Sequence, residues 1–144
     1  MNIYHYLSKK QWAPFIKKAF RVSDYFTIER FEYKEDHRKS VTYDYFFAQL
    51  EPHLIAKKEK IDINNLSIFD TEIYCYQCNF FTQEIVLDVG NIKNFDYPKY
   101  PENLCFYKKD KIWFKSNTHE NCAHIQTDDQ EILNTFKEYE RFFS

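Results

Sequence analysis

The spacing of apolar residues along the chain separates helical from extended segments. Trp12, Phe15, Ile16, Ala19 and Phe20 recur at intervals of three and four, which makes one apolar stripe and predicts a helix over about 9–21. Ser8 with Gln11 has the spacing of a capping box. The lysines fall on the opposite face, and Pro14 fits such a helix only within its first turn. Phe26 and Ile28 then alternate as in a strand, and Phe31 and Tyr33 resume one residue out of phase. A strand over about 24–33 with a bulge near Glu29 and Arg30 accounts for both. Residues 34–39, KEDHRK, read as a charged connection.

Residues 40–60 fit two periods. Val41, Tyr43, Tyr45 and Phe47 alternate, whereas Tyr43, Phe46, Phe47, Leu50 and Leu54 have helical spacing. The longer pattern, with Ala48, Gln49 and Glu51, predicts a helix that Pro52 kinks or ends. Runs rich in Ile, Val, Tyr and Phe at 66–69, 72–80 and 84–89 predict strands. Residues 90–103 form a long loop, 104–107 and 112–115 flank KKDK as a hairpin, and a last strand covers 122–126. Thr127 with Gln130 resembles a second capping box, with Asp128, Asp129 and Glu131 suited to a positive helix N-terminus. Ile132, Phe136, Tyr139 and Phe143 share one face of that final helix, and Lys137 and Arg141 fall near its end. The sum is an α+β domain over residues 1–144: an antiparallel β-sheet flanked by N-terminal, middle and C-terminal helices.

Composition sharpens this outline. The 144 residues include 15 phenylalanines and 12 tyrosines but one glycine, Gly90. Rings that each bury ~150–250 Å² can build a core in a chain of this length, with tyrosines at half-buried positions. A single glycine leaves no room for GxGxxG, GxxxxGK[ST] or GxSxG turns, which excludes the usual phosphate cradles and the nucleophile elbow. Turns fall instead to Asn64, Asn65, Asn79, Asn91, Asn94, Asp110, Asn117 and Asn121, since Asn and Asp tolerate left-handed backbone.

Twenty basic and 22 acidic residues leave a net charge of −2, which disfavours nucleic acid as a partner. KKQWAPFIKKAF has the composition of a single-strand binder, but its rings lie opposite its lysines, and base stacking needs both on one face. The basic first 21 residues and the acidic segment 128–144 read as solvated helix faces. No apolar run is long enough for a leader or a membrane span. The expectation is a cytoplasmic protein with reduced thiols and no membrane association.

Candidate chemistry is sparse. Cys75 and Cys78 lie in a strand pattern, which turns them to opposite faces and marks them as structural thiols rather than metal ligands. His119 and His124 in HENCAH are five apart, so the segment is not a zincin HExxH. His119 with Glu120 has the residue types of an acid/base pair but no named nucleophile. Convergence of Cys75, Cys78 and Cys122 with His119 or His124 keeps a small enzyme or metal-binding domain open as the alternative. His37 and His53 read as surface residues. The loop NFDYPKYPEN, 94–103, offers tyrosines for a contact surface and two acids, Asp96 and Glu102, for a basic partner. The competing reading is a proline-stiffened connection whose rings cover a sheet edge.

One segment carries a resemblance. In PENLCFYKKDKIWFKSNTHE, 101–120, Pro101, Glu102, Leu104, Phe106, Tyr107, Trp113, His119 and Glu120 match a pattern of small bacterial domains: a Pro-Glu-Asp-Leu entry, an aromatic hairpin and a closing His-Glu. Asn103 replaces the usual Asp, Lys111 the hairpin glycine, and Phe114 a Leu. Such domains resemble immunity-type proteins of bacterial toxin arrays. That likeness implies a non-catalytic protein-binding role, with a toxin as partner, no cofactor and no metal. The residues expected at the contact are Tyr97, Tyr100, Glu102, His119 and Glu120.

Overall fold

The computed structural model describes residues 2–3, 7–33, 40–59 and 69–142. In chain order these form β1 (Asn2–Ile3), α1 (Lys9–Val22), β2 (Tyr25–Tyr33), α2 (Val41–Leu50), β3 (Leu54–Glu59), β4 (Phe69–Gln77), α3 (Phe80–Leu87), β5 (Glu102–Lys108), β6 (Lys111–Asn117), β7 (Cys122–Ile125) and α4 (Gln130–Thr135). Short 3-10 turns cover Glu51–His53, Ile92–Asn94 and Lys137–Phe142. The seven strands make one antiparallel sheet in the order β1-β7-β6-β5-β2-β4-β3. The α+β class and the N-terminal, middle and C-terminal helices match the expectation.

Strand register explains where the core sits. Tyr76, Phe26, Phe106, Phe114 and Ile125 line up across five strands, and all five are buried. Alternation puts this row on one face, and the helices cover it. Phe15 of α1 meets Phe114 at 5.3 Å and Phe136 at 5.2 Å, and Phe20 meets Phe26 at 5.4 Å. The pairs are tilted, as ring quadrupoles prefer. The opposite face carries a second row, Cys75, Thr27, Cys105, Lys115 and His124. Cys75 thus lies away from the helices while Cys78 packs against the core, as alternation predicts. All four cysteines are free. Burial raises the thiols of Cys75 and Cys78 above the ordinary range and pushes Cys105 up to about 11.

Local rules held in most places. The slip in β2 is a register shift toward β5 between Thr27 and Glu29. The hairpin turn uses Lys109 and Asp110, both at positive φ, as do Asn103 and Asn121; Asp110 and Asn121 stand among the turn residues expected in the absence of glycine. Tyr43, fully buried rather than half-buried, donates from its hydroxyl to Phe31 O at 3.0 Å and accepts from Phe31 N at 2.8 Å. It ties the end of β2 to α2.

Four expectations need correction. Residues 84–89 are not a strand: α3 occupies Phe80–Leu87. Its start is fixed by Asn79, whose Oδ1 accepts from Thr82 N at 3.0 Å while Thr82 Oγ1 accepts from Asn79 N at 3.0 Å. Thr82 and Val86, one turn apart, are its buried residues, and Gly90, at φ 86°, follows its end. Capping and tertiary burial outweigh the β propensity of Ile85 and Val86. Pro14 lies in the second turn of α1, not the first, because the helix already begins at Lys9, with Ser8 N bonded to Gln11 Oε1 at 2.8 Å. Packing of the Trp12–Phe20 stripe offsets the bond that Pro14 cannot make. Asp129, not Thr127, caps α4, accepting from Ile132 N at 3.1 Å. The final helix ends at Thr135, short of the expected stretch, and a 3-10 turn over Lys137–Phe142 follows it, whereas the helix before Pro52 does end there as expected and the chain becomes strand β3. The strand expected at 66–69 and the charged connection with His37 lie outside the described residues, apart from Phe69, which opens β4.

Candidate functional site

The loop and hairpin end that the sequence singled out fold largely inward. Tyr97 is half-buried, its ring 5.3 Å from Tyr43 and 6.4 Å from Phe31. Tyr100 packs edge-on against Phe46 at 5.6 Å and lies near Phe95. Glu102 is only 2% exposed. Its Oε2 accepts from Tyr97 N at 3.0 Å, and its Oε1 lies 3.0 Å from His119 Nε2, within ion-pair reach but off the line of the ring N–H. Burial is the main reason the Glu102 carboxyl is pushed up to about 7; a hydrogen bond with Asp96 and the charge of Glu29 add to it, and His119 opposes it.

A hydrogen-bonded mesh fixes this corner. Thr118 N donates to Asn103 Oδ1 at 2.9 Å, Thr118 Oγ1 to Phe95 O at 2.9 Å, and Asn103 Nδ2 to Glu29 Oε2 at 2.7 Å. Asn103 at φ 58° makes that reach possible. Of the five expected contact residues, Tyr97, Glu102 and His119 therefore converge. Tyr100 belongs to the α2 side of the core, and Glu120 turns to Cys122. His119 and Glu120 are exposed. A cleft of about 220 Å³ opens beside them, with Lys93, Asp96, Asn117, His119 and Cys122 on its walls.

The alternative chemistry has one geometric counterpart. Cys122 Sγ lies 3.6 Å from His124 Nε2 and donates to Glu120 Oε2 at 3.8 Å. Desolvation and the Glu120 charge raise the Cys122 thiol, which holds it protonated, whereas a nucleophilic cysteine needs the opposite shift. Cys75, Cys78 and Cys105 lie on other strands or in the core. Among the described residues no three His, Cys, Asp or Glu side chains are grouped to hold a metal ion.

A different region leaves apolar surface in solvent. Val41 is 87% exposed, Phe80 69%, Phe81 66%, Tyr45 64% and Ile55 57%. On α2 the outward residues are Val41, Asp44, Tyr45 and Ala48, and on α3 they are Phe80, Phe81, Glu84 and Asp88. The turn after α2 reaches the start of α3, where His53 stacks on Phe81 at 6.0 Å and its Nδ1 lies 3.0 Å from Asn79 Nδ2. Ile55 follows on edge strand β3. A surface helix normally confines its apolar residues to one side; α2 and α3 are apolar on both. The sequence reading missed this face because it took 84–89 for a strand. The Asn79–Thr82 cap beside Phe80-Phe81 was the available signal.

No helix among the described residues is long and apolar enough to cross a membrane. No family model, no curated protein and no solved structure matches this chain.

Proposed function

We propose that this chain is a non-catalytic, cytoplasmic protein-binding domain that acts by covering its partner, in the manner of the bacterial immunity-type domains that residues 101–120 resemble. The observation that carries the reading is the α2–α3 face. Phe80, Phe81 and Tyr45 stand more than 60% exposed, whereas the other Phe, Tyr and Trp rings of known burial among the described residues are buried or half-buried. Exposed aromatic side chains on a folded support are the usual anchors of a protein interface. The contact expected at Tyr97, Tyr100, Glu102, His119 and Glu120 narrows to His119 and Glu120, a polar rim rather than an aromatic anchor.

The test is co-expression with the product of the adjacent gene, followed by size-exclusion chromatography. A stable heterodimer is expected, and Phe80→Ser with Phe81→Ser should weaken it by about 2–4 kcal/mol per anchor. Two separate peaks for the unmutated pair overturn the toxin-occluding reading.

A further inference from the structure

We infer that the α2–α3 face takes a cationic, amphipathic protein segment, one that brings Lys or Arg around a small apolar centre; this rests on the protein-binding reading above. Three observations converge on it.

The first is charge sign. Residues 40–53 and 79–92, which build the face, contain Asp44, Glu51, Glu84 and Asp88 and no Lys or Arg. At the chain average of 20 in 144, these 28 positions would carry about four. All four acids are exposed. Two described cations of the neighbouring strands lie over rings: the Arg30 guanidinium sits 4.6 Å from the Phe47 centroid, and Lys57 Nζ 5.0 Å from that of Tyr74.

The second is where the acids stand. Glu51 and Asp88 are the C-cap residues of α2 and α3, and neither helix has a basic residue in its last turn. A helix C-terminus carries partial negative charge and favours cations. Both helices place an acid there, which works against their own stability. A cation supplied from outside relieves both clashes.

The third is the nature of the apolar groups. Phe80, Phe81 and Tyr45 stand largely in solvent, Phe81 beside the stacked His53 ring, and an ammonium or guanidinium binds exposed ring faces while its aliphatic stem covers them. An aromatic centre with a carboxylate rim thus suits a basic amphipathic segment and repels an acidic one.

The experiment uses the full chain and two 18-residue helical peptides, one of Leu and Lys and one of Leu and Glu at the same spacing. Fluorescence anisotropy reads affinity, and circular dichroism confirms the fold of each variant. The Leu/Lys peptide should bind at least about tenfold tighter than Leu/Glu. Its affinity should fall about tenfold between 50 and 300 mM salt as the charges are screened. Phe80→Ser with Phe81→Ser should abolish binding, and Tyr45→Ser should weaken it. Glu84→Gln with Asp88→Asn should reduce the preference and the salt dependence, Asp44 and Glu51 remaining, whereas Asp128→Asn with Glu131→Gln at the start of α4 should change neither.

Leu/Lys binding that survives the Phe80 and Phe81 substitutions overturns the inference, because it marks adsorption elsewhere. So does dimerisation of the chain through this face, which would make a second copy the occupant. Equal binding of both peptides, lost in the Phe80 and Phe81 variant, overturns the basic partner but leaves the docking face in place. If neither peptide binds, the basic partner fails, while the heterodimer experiment decides the wider reading separately.

Discussion

The corner around Tyr97 and the face formed by α2 and α3 are both dense in aromatic rings, and they turn them in opposite directions. At the corner, Phe95, Tyr97 and Tyr100 point into the core, and the backbone is fixed by Asn103, Thr118 and Glu102. At the face, Phe80 and Phe81 follow a well-made cap yet project into water. The corner accounts for its own residues. The face does not, since nothing in the fold requires phenylalanine at two exposed positions. Position in an element, rather than residue type, separates buried from exposed rings.

Substitution at the corner should show the larger stability effects. Phe95 is fully buried and touches Trp12, Phe46 and Tyr100. Phe95→Ala should cost about 3–5 kcal/mol of unfolding free energy, read by urea denaturation, and should leave partner affinity unchanged in the protein that remains folded. A loss under about 1 kcal/mol would show the corner to be as loosely packed as the face. Tyr43→Phe is the next smaller step. It removes the hydroxyl that both donates to and accepts from Phe31 in a buried setting, which should cost about 1–3 kcal/mol.

These two regions also differ in how well the sequence foretold them. The α1 stripe, the β5–β6 hairpin and the buried Ile132, Phe136 and Tyr139 of the C-terminal segment follow from spacing alone, because local pattern and tertiary burial agree there. Residues 84–89 failed because Ile85 and Val86 have strand propensity, and only the upstream Asn79 cap and the distant contact of Trp12 Nε1 with Leu87 O at 3.1 Å reveal a helix. The site residues were legible as a cluster but not in their orientation. Glu102 and His119 are 17 positions apart, and strand register alone places the carboxyl beneath the ring. Exposure of Phe80 and Phe81 was not legible at all, since a sequence that spaces an apolar residue does not say which side of the helix meets water.

Glu102 offers a pH-dependent way to separate the regions. Its folded carboxyl is pushed up to about 7 from its ordinary 4.5, mainly by burial and secondarily by its bond with Asp96. The folded state therefore holds this proton more tightly than the unfolded chain. The favourable contribution is complete below about pH 4.5 and is lost as pH rises through 7. Glu102→Gln should flatten that part of the stability curve, a change of order 1–3 kcal/mol between pH 4.5 and 8, followed by thermal melts across pH. Partner affinity should keep its pH profile in this variant. A shifted binding profile would move the contact from the α2–α3 face to the His119 corner.

The smallest effect is the most discriminating one. Phe81 is 66% exposed, and its principal neighbours are the stacked His53 ring and Phe80. A ring already in water gains little from the fold, so Phe81→Ala should change stability by less than about 0.5 kcal/mol. The same truncation at fully buried Phe95 removes a ring with no water around it, so one chemical change compares the two regions directly. Matched denaturation curves for the two variants give the contrast without knowledge of any partner. If Phe81→Ala costs more than about 2 kcal/mol, the ring belongs to the interior. The α2–α3 face would then be an extension of the core, and its aromatic residues would need no partner to explain them.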